Sequence, residues 1–173
     1  FGMKTFDQGE QTTTFVGFDP EPFFKMTRLT WVEGDAATAL AKLKQGNAVI
    51  VAKEFKVTRG IGVGSTLTLE WDHKPHSFEV VGVVNSPGLD IASKFFSIGD
   101  DYLDQSVNAV FGSRDDLRRL FGNTGIQLIQ VSIDPNFDDK AAIREIRKLA
   151  GFEVISAGSG REIKAEIRKF LTS

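Results

Sequence analysis

The sequence has no cysteine and only two histidines among its 173 residues. The lack of cysteine excludes disulfides, thiolate nucleophiles and cysteine-ligated zinc or iron–sulfur clusters. No apolar run approaches the ~20 residues that a membrane-spanning helix needs, and the first residues lack the regions of a signal peptide. The chain starts at Phe1 rather than at methionine, and it stops directly after an amphipathic segment. We therefore expect it to be a fragment of a longer protein.

An excess of positive charge is also missing. The 21 lysines and arginines stand against 23 aspartates and glutamates, which gives a formal net charge of −2. The basic residues are scattered among the acidic ones, so no positive field is available to hold a nucleic-acid backbone. With 41% hydrophobic and 25% charged residues, the composition is that of a folded globular protein of one domain or two small ones.

Aliphatic residues and glycines dominate the middle of the chain, from residue 46 to residue 84. The predicted strands are residues 48–52, 66–71 and 78–84, with a glycine corner at 60–64 and a hairpin connection at 72–75. No side chain in this section is placed where a reaction would use it. We therefore interpret the section as a structural barrel or sheet core.

Shorter elements flank this section. They are a strand at 14–18, a short helix or turn at 23–26, a helix at 36–44, a helical turn at 54–58, a strand at 107–111 and a helix at 115–120. Asp35 and Ser113 are the predicted N-caps of two of these helices. Ala36, Leu40 and Leu43 recur at helical spacing. Residues 1–13 are polar and fit either a frayed tail or an edge strand.

From Ile126 the pattern changes to strands that alternate with amphipathic helices. Residues 126–134 and 153–156 predict strands, whereas 139–150 and 161–171 predict helices. The apolar stripes of the two helices are Ala142, Ile143, Ile146 and Leu149, and Ile163, Ile167, Phe170 and Leu171. This βαβα unit predicts an α+β fold with two subdomains. A β-rich subdomain, residues 14–122, is inserted into a small α/β subdomain made of residues 1–13 and 123–173.

Two motifs in the β-rich part superficially match binding sites. The glycines of 60–64 lack the following helix and the glycine offset of a dinucleotide loop, so they predict a tight corner. Asp72, His73 and His76 would make a metal cluster only if a hairpin could present them together, and their spacing does not fit a metal site. We interpret them as a solvated turn.

Acidic residues elsewhere have similar alternatives. The oxygen donors of 134–138 match the first positions of a calcium loop, but Asp139 stands where the sharp turn needs glycine. A helix start with acids in its first turn explains them better. Ser159 is more simply a helix cap than a nucleophile. An acidic group in the long connection 89–104 lacks a partner base; its members are Asp100, Asp101 and Asp104.

Phenylalanine is unusually frequent, with 15 copies against two tryptophans and one tyrosine. Several aromatic residues fall outside the predicted core strands, and neighbours in a pair cannot both face inward on a strand. Two interpretations of these aromatic residues are open. They form a surface patch that contacts a partner or an apolar ligand, or they pack beneath loops. The possible contact residues are Phe23, Phe24, Phe95, Phe96 and Tyr102.

The order of five short motifs resembles the extracytoplasmic core domain of MacB-like and FtsX-like ABC transporter permeases. The motifs are GFDP at 17–20, EGD at 33–35, GNAVIV at 46–51, GIGVGSTLTL at 60–69 and FEVVGVV at 78–84. The resemblance covers most of the chain. It implies a β-rich (Sabre-like) subdomain inserted into an α/β (Porter-like) one, in agreement with the division drawn from the sequence pattern. The short N-terminal segment departs from the family, which has a fuller strand and helix there.

The resemblance also implies a non-enzymatic, mechanical role in transmembrane transport. The domain would lie on the periplasmic or extracellular side of the cell (inner) membrane, between the first two transmembrane helices of the permease. Its implied partners are those helices, an ABC ATPase subunit or domain, a second permease copy or paralogue, and an extracytoplasmic protein. No cofactor, metal or catalytic residue is implied, because ATP is used by the separate ATPase. No Gly-x-x-x-x-Gly-Lys-Ser/Thr loop is present here.

Two other hypotheses remain open from the residues. One is a stand-alone extracytoplasmic module that binds an apolar ligand through its phenylalanines. The other is a small hydrolase that uses Asp100, Asp101 or Asp104.

Overall fold

The computed structural model describes residues 1–8, 11–85 and 108–150. The predictions for the connection 89–104, the strand 153–156 and the helix 161–171 lie outside the described residues. In chain order the elements are β1 (Gly2–Gln8), β2 (Gln11–Phe18), α1 (Pro20–Met26), β3 (Trp31–Glu33), α2 (Ala36–Gln45), β4 (Ala48–Ala52), α3 (Lys53–Arg59), β5 (Thr66–Trp71), β6 (Lys74–Val84), β7 (Ala109–Ser113), α4 (Arg114–Phe121) and α5 (Asp139–Ala150).

The chain divides into two compact units, Phe1–Ile129 and Gln130–Ser173. The described strands belong to the first unit and form one mixed sheet in the order β1-β2-β7-β4-β6-β3, with β5 also paired to β6. β2 and β7 are parallel, as are β4 and β6, whereas the other neighbours are antiparallel. The mixed sheet and its helices confirm the α+β class.

Burial on both faces explains why β4 is apolar without interruption. All five of its residues are buried. Val49 and Val51 face one core, while Ala48 and Ile50 face the other, because successive side chains of a strand alternate between faces. A central strand covered on both sides has no position for a polar side chain.

Two core clusters fill the two faces. The first core cluster, which includes α3 and α4 residues, consists of Phe6, Phe15, Val49, Val51, Phe55, Leu67, Leu69, Phe78, Val80, Val83, Val110, Leu117 and Phe121. The second core cluster, which includes α1 and α2 residues, consists of Val16, Phe18, Phe23, Ala39, Leu43, Ala48, Ile50, Val81, Val84, Ala109 and Phe111. The phenylalanines of the chain therefore contribute heavily to both cores.

A β-bulge in β6 reverses the faces of its last residues. Val49 lies opposite Val80 but Ile50 lies opposite Gly82, so Val81 is the extra residue. Val80 and Val83 thereby contribute to the first core cluster, and Val81 and Val84 to the second. Gly82 is required at this point, because a Cβ there would overlap the ring of Trp31 and lie 2.6 Å from Ile50 Cγ2.

Helix caps are where the sequence predictions were most accurate. Asp35 caps α2 by accepting a hydrogen bond from Thr38 N at 2.9 Å, and Ser113 caps α4 by accepting one from Asp116 N at 3.0 Å. The predicted apolar stripe of α2 was partly wrong, since its buried residues are Ala39 and Leu43 whereas Ala36 is exposed.

The turn between β5 and β6 is shorter than the predicted connection. Only Asp72 and His73 form it, with φ angles of 52° and 57°. Positive φ at both positions matches the twist of the flanking strands in a two-residue hairpin. β6 therefore begins at Lys74. β7 runs from Ala109 to Ser113 and so ends two residues later than the predicted strand 107–111.

The predicted strand at 126–134 is wrong. None of these residues lies in a strand in the described part of the chain, and Ile126, Ile129 and Val131 are exposed. Residues 127 and 128 instead exchange a few hydrogen bonds with Phe1 and Met3, which do not continue as a ladder along β1. An alternating apolar pattern predicts a strand only if a partner ladder is available.

Both ends of the sequence show further differences. Residues 2–8 form an edge strand that pairs with β2 along its length, which settles the choice between tail and strand. In the second unit, α5 confirms the helix predicted over 139–150. Ala142 is buried and Ile146 half-buried, but Leu149 is 88% exposed and does not join their stripe. The subdomain division at residues 14–122 stays a prediction.

We expect Gly112→Ala to destabilise the first unit by about 1–3 kcal/mol, the usual range for overpacking a core. A Cβ at Gly112 would overlap the ring of Phe15, which is fully buried and packs at an angle against Phe78 and Phe121. Urea unfolding measures the loss. In a Phe15→Leu background the same change should cost clearly less, and equal costs in the two backgrounds would show that the ring is not the obstacle.

Candidate functional site

The sequence motifs that suggested binding sites have structural roles. His73 lies exposed in the hairpin turn, while the His76 ring packs edge-on against Phe121 at 5.3 Å between centroids. Within the residues that the structure describes, no group of three histidine, aspartate or glutamate side chains is arranged to hold a metal ion. The two histidines thus belong to a turn and to the margin of the core.

The acids before α5 cap and shape its start. Asp134 Oδ1 accepts a hydrogen bond from Asn136 N at 2.8 Å, and Asp138 Oδ2 accepts one from Ala141 N at 3.0 Å. This geometry confirms the helix-start interpretation, because the carboxylates bond to backbone N–H groups of the turn and of the first helical turn. Asp100, Asp101, Asp104 and Ser159 lie outside the described residues.

The glycine corner is held in place by one carboxylate. Glu33 Oε2 accepts a hydrogen bond from Val63 N at 3.1 Å, and Glu33 Oε1 pairs with Lys56 Nζ. A Cβ at Gly62 would lie 2.9 Å from that carboxylate, so the corner needs glycine to approach β3. The corner is therefore a structural junction between β3, α3 and β5.

The possible contact residues fall into two groups. Phe23 is only 2% exposed and packs on Phe18 at 4.2 Å between ring centroids, and Phe24 is half-buried between Phe23 and Trp31. Phe23 is a core residue, the packing alternative that the sequence left open, and has almost no surface for a partner. Phe95, Phe96 and Tyr102 lie outside the described residues.

A buried carboxylate that the sequence analysis did not single out joins α4 to the turn before β4. Asp116 is 1% exposed, and its Oδ2 accepts a hydrogen bond from Asn47 N at 2.7 Å. Arg119 Nη2 donates to Asp116 Oδ1 at 2.5 Å and to Asn47 Oδ1 at 2.7 Å. Asn47 O also accepts a bond from Glu79 N. We call these residues the Asp116 junction.

Glycine and asparagine are needed beside this carboxylate. Gly46 and Asn47 have φ angles of 92° and 56°, a region that asparagine tolerates better than most residues. A Cβ at Gly46 would lie 2.9 Å from Asp116 Oδ1. The only sequence signal for the junction is the Gly-Asn pair at a helix end, which by itself predicts a turn and not its buried partner.

Arg59 makes a second junction at the opposite end of β4. Its guanidinium donates to Gln11 Oε1, to Thr12 O at 3.0 Å and to Asn108 Oδ1 at 2.9 Å. It also lies over the Phe55 ring, with 5.5 Å between Cζ and the ring centroid. One side chain thereby connects the end of α3 with the starts of β2 and β7.

A third junction joins the start of β1 to residues 123–128. Asn123 Nδ2 donates to Met3 O at 2.9 Å, and Met3 N donates to Gln127 Oε1 at 3.1 Å. Gln127 N donates to Phe1 O at 3.0 Å. The two ends of the first unit are thus fastened to each other beside β1, the outermost of the described strands on this side of the sheet.

The perturbed carboxylates are exposed and stabilise helices. Hydrogen bonds from Lys44 and Lys25 hold the pKa of Glu21 below its usual value, which links α1 to α2. The hydrogen bond from Thr38 N lowers the pKa of Asp35 in the same way. Neither carboxylate has the raised pKa that a general acid needs.

Comparison with known proteins gives one family and a shared fold. The sequence matches the family model of the MacB-like periplasmic core domain over residues 2–149. No curated protein matches the sequence. In the described part of the chain, no helix has the length and hydropathy to cross a membrane.

Two solved structures are similar to this chain at the level of fold. One is the extracellular domain of the noncanonic ABC-type transporter YknZ from Gram-positive bacteria, with a TM-score of 0.53 and 15% identity over 87% of this chain and 73% of that chain. The other is the periplasmic region of MacB from Actinobacillus actinomycetemcomitans, with a TM-score of 0.50 and 15% identity. The alignment covers 85% of this chain and 61% of the MacB region.

We expect Asp116→Ala to lower the free energy of unfolding by about 2–3 kcal/mol, because it removes a charged acceptor from Asn47 N inside the protein. The adjacent Asp115 is the matched control, since its side chain is exposed and pairs with exposed Arg118. Asp115→Ala should change the same quantity by less than about 1 kcal/mol. Equal losses in urea unfolding would contradict a special role for the Asp116 junction.

The Asp35 cap predicts a pH dependence. Because the folded pKa is lowered, the stabilisation by ionised Asp35 is complete above the unfolded pKa of about 4 and is lost as the pH falls through the folded pKa. Asp35→Asn keeps a capping oxygen that does not titrate. The wild type should therefore lose stability relative to this variant below about pH 4. Parallel pH curves of the urea midpoints would contradict the assignment.

Proposed function

The chain belongs to the family of MacB-like periplasmic core domains, and we propose that it is the extracytoplasmic domain of an ABC transporter permease. In this proposal it couples ATP-driven motion of the transmembrane helices to export, or to the handling of a substrate or partner, outside the membrane. It is not an enzyme and holds no cofactor of its own. The ATP is bound and hydrolysed by a separate cytoplasmic ATPase domain or subunit.

The family match over residues 2–149 carries the proposal. The likeness to YknZ and MacB supports it at the level of fold. YknZ contributes an extracellular domain and MacB a periplasmic region, and both favour the outer side of the cell (inner) membrane for this chain. The implied partners are the flanking transmembrane helices, the ATPase, and a second permease copy or paralogue. An extracytoplasmic protein is a further candidate.

The use of the polar groups agrees with a mechanical role. Asp116, Glu33 and Arg59 each connect elements that are distant in sequence and that belong to the first unit. A unit whose sheet is covered on both faces and tied at its ends resists internal deformation. Motion applied to one part of such a body reaches the other parts without being absorbed by local rearrangement.

The topology can be tested by cysteine labelling, because the chain has no cysteine of its own. Val57 is 74% exposed on α3, whereas Val51 is fully buried in β4. In cells that produce the full-length protein, a membrane-impermeant maleimide should label Val57→Cys and leave the control Val51→Cys unlabelled. Labelling of Val57→Cys only after the membrane is permeabilised would contradict an extracytoplasmic location.

Coupling needs a measurement on the assembled transporter. A spin label at Val57→Cys and a second one on an adjoining transmembrane helix should report a distance that differs between the nucleotide-free and the ATP-trapped complex. A transport-deficient ATPase variant that cannot bind ATP is the control and should show a single distance. An unchanged distance in the active complex would contradict the coupling role.

A further inference from the structure

Among the described residues, the outer edge of β1 is bonded at Met3 by two amide side chains and not by a neighbouring strand. Met3 uses both of its outward backbone groups: its N–H bonds to Gln127 Oε1 at 3.1 Å and its carbonyl accepts from Asn123 Nδ2 at 2.9 Å. A strand beside β1 would make the same two bonds with backbone groups. We call Met3, Asn123 and Gln127 the edge clasp.

The path of the chain brings the two amides to this position. α4 ends at Phe121, the following Gly122 turns the chain with a φ of 64°, and Asn123 N then donates to Leu117 O at 3.2 Å. Asn123 Oδ1 accepts from Gly125 N at 2.9 Å, which fixes the turn before Gln127. The donor and the acceptor of Asn123 thus have separate partners.

Close packing holds α4 against the same part of β1. Gly2 and Gly17 lie opposite each other in β1 and β2, and a Cβ at either would meet Leu117 Cδ2, at 2.7 Å and 3.1 Å respectively. A Cβ at Gly2 would also lie 2.9 Å from Gly125 O. The two glycines therefore leave the space in which α4 and the following turn approach the edge.

The contacts at β1 are of unequal strength. β1 shares a ladder of seven residue pairs with β2, so it separates from the sheet only when several hydrogen bonds break together. Residues 123–128 form no strand in the described structure, and they reach this end of β1 through the two amide bonds at Met3 and three backbone bonds between Phe1 and residues 127–128. These bonds lie at the first three residues only, so this side of β1 opens at a lower free-energy cost than the seven-pair ladder with β2.

We propose that the edge clasp makes the entering strand β1 and the exit segment 123–128 move as one body when the transporter changes state. This inference rests on the proposed function, in which motion reaches the domain through the chain on both sides of the first unit. With the clasp closed, displacement of either segment is passed to the sheet. With the clasp open, only the backbone bonds of Phe1 to Gln127 and Leu128 still join the two segments, so residues 123–128 move more freely against β1 and part of the motion is lost locally.

Two amide-to-acid substitutions provide a matched test in the isolated chain. Each substitution replaces the side-chain NH2 group by an oxygen and adds one negative charge. Gln127→Glu keeps the acceptor that Met3 N requires, whereas Asn123→Asp replaces the donor to Met3 O by a second acceptor. By native-state hydrogen exchange, we expect Asn123→Asp to speed exchange of the Met3 amide roughly fivefold to tenfold, as for the loss of one hydrogen bond. Gln127→Glu should leave the rate within about twofold, and Gln127→Met, which removes the acceptor, should match Asn123→Asp.

The amide of Val16, opposite Met3 in β2, is the internal reference. If its exchange accelerates equally, the substitution has destabilised the whole unit and the clasp is not a separate opening point, which overturns the proposal. Equal behaviour of Gln127→Glu and Asn123→Asp also overturns it, because charge rather than hydrogen bonding would then control the edge.

The functional test uses the full transporter with spin labels at Thr5→Cys and Ile126→Cys, both of which are exposed positions. With the wild-type clasp and with Gln127→Glu, the distance between the two spin labels should be the same in the nucleotide-free and ATP-trapped states. In Asn123→Asp it should differ or broaden between the two states. A nucleotide-dependent distance with the clasp intact, or a constant distance in every variant, overturns the proposal.

The two proposals fail in different ways. If the domain does not move relative to the membrane when ATP binds, the label at Val57→Cys shows it and the coupling function itself is wrong. If the domain moves but the clasp variants behave alike, only the role of the clasp is wrong.

Discussion

Burial of one sheet on both faces is the constraint on which this structure depends. A strand between two cores has no solvated side, so β4 is apolar throughout and its alternate residues belong to different clusters. Crowding follows from the same cause. Gly82 and Gly112 lie where Trp31 and Phe15 cross the sheet, and neither position has room for a Cβ. The two glycines thus leave the space that the two aromatic rings occupy.

Polar side chains in the first unit serve to fasten the margins of this sheet. Asp116, Glu33 and Arg59 each accept or donate several hydrogen bonds between elements that are far apart in sequence. A buried carboxylate is tolerated only when its oxygens are bonded, and Asp116 meets this condition through Asn47 and Arg119. The same kind of fastening closes the edge of β1.

Some of the predicted elements were confirmed because their causes are local. Asp35 and Ser113 cap helices by accepting hydrogen bonds from backbone groups three residues further along the chain. The five consecutive apolar residues of β4 by themselves indicate a strand that is buried on both faces. The family resemblance was also visible in the sequence and was confirmed by the match over residues 2–149. The prediction of a strand at 126–134 was wrong because a strand also needs a partner strand. The alternating pattern lies within residues 126–134, whereas a partner must come from elsewhere in the chain.

The sequence by itself determined the α+β class, the caps, the glycine turns and the family. Each of these depends on residues within a few positions of one another, or on their order along the chain. Only the tertiary structure decided that Phe23 is core, that Asp116 is buried beside Asn47, and that Asn123 and Gln127 close the edge at Met3. These contacts join residues that are from five to more than a hundred positions apart in the chain. Tertiary packing decides whether such an amide or carboxylate is solvated or bonded to another residue, and no local sequence pattern encodes this packing.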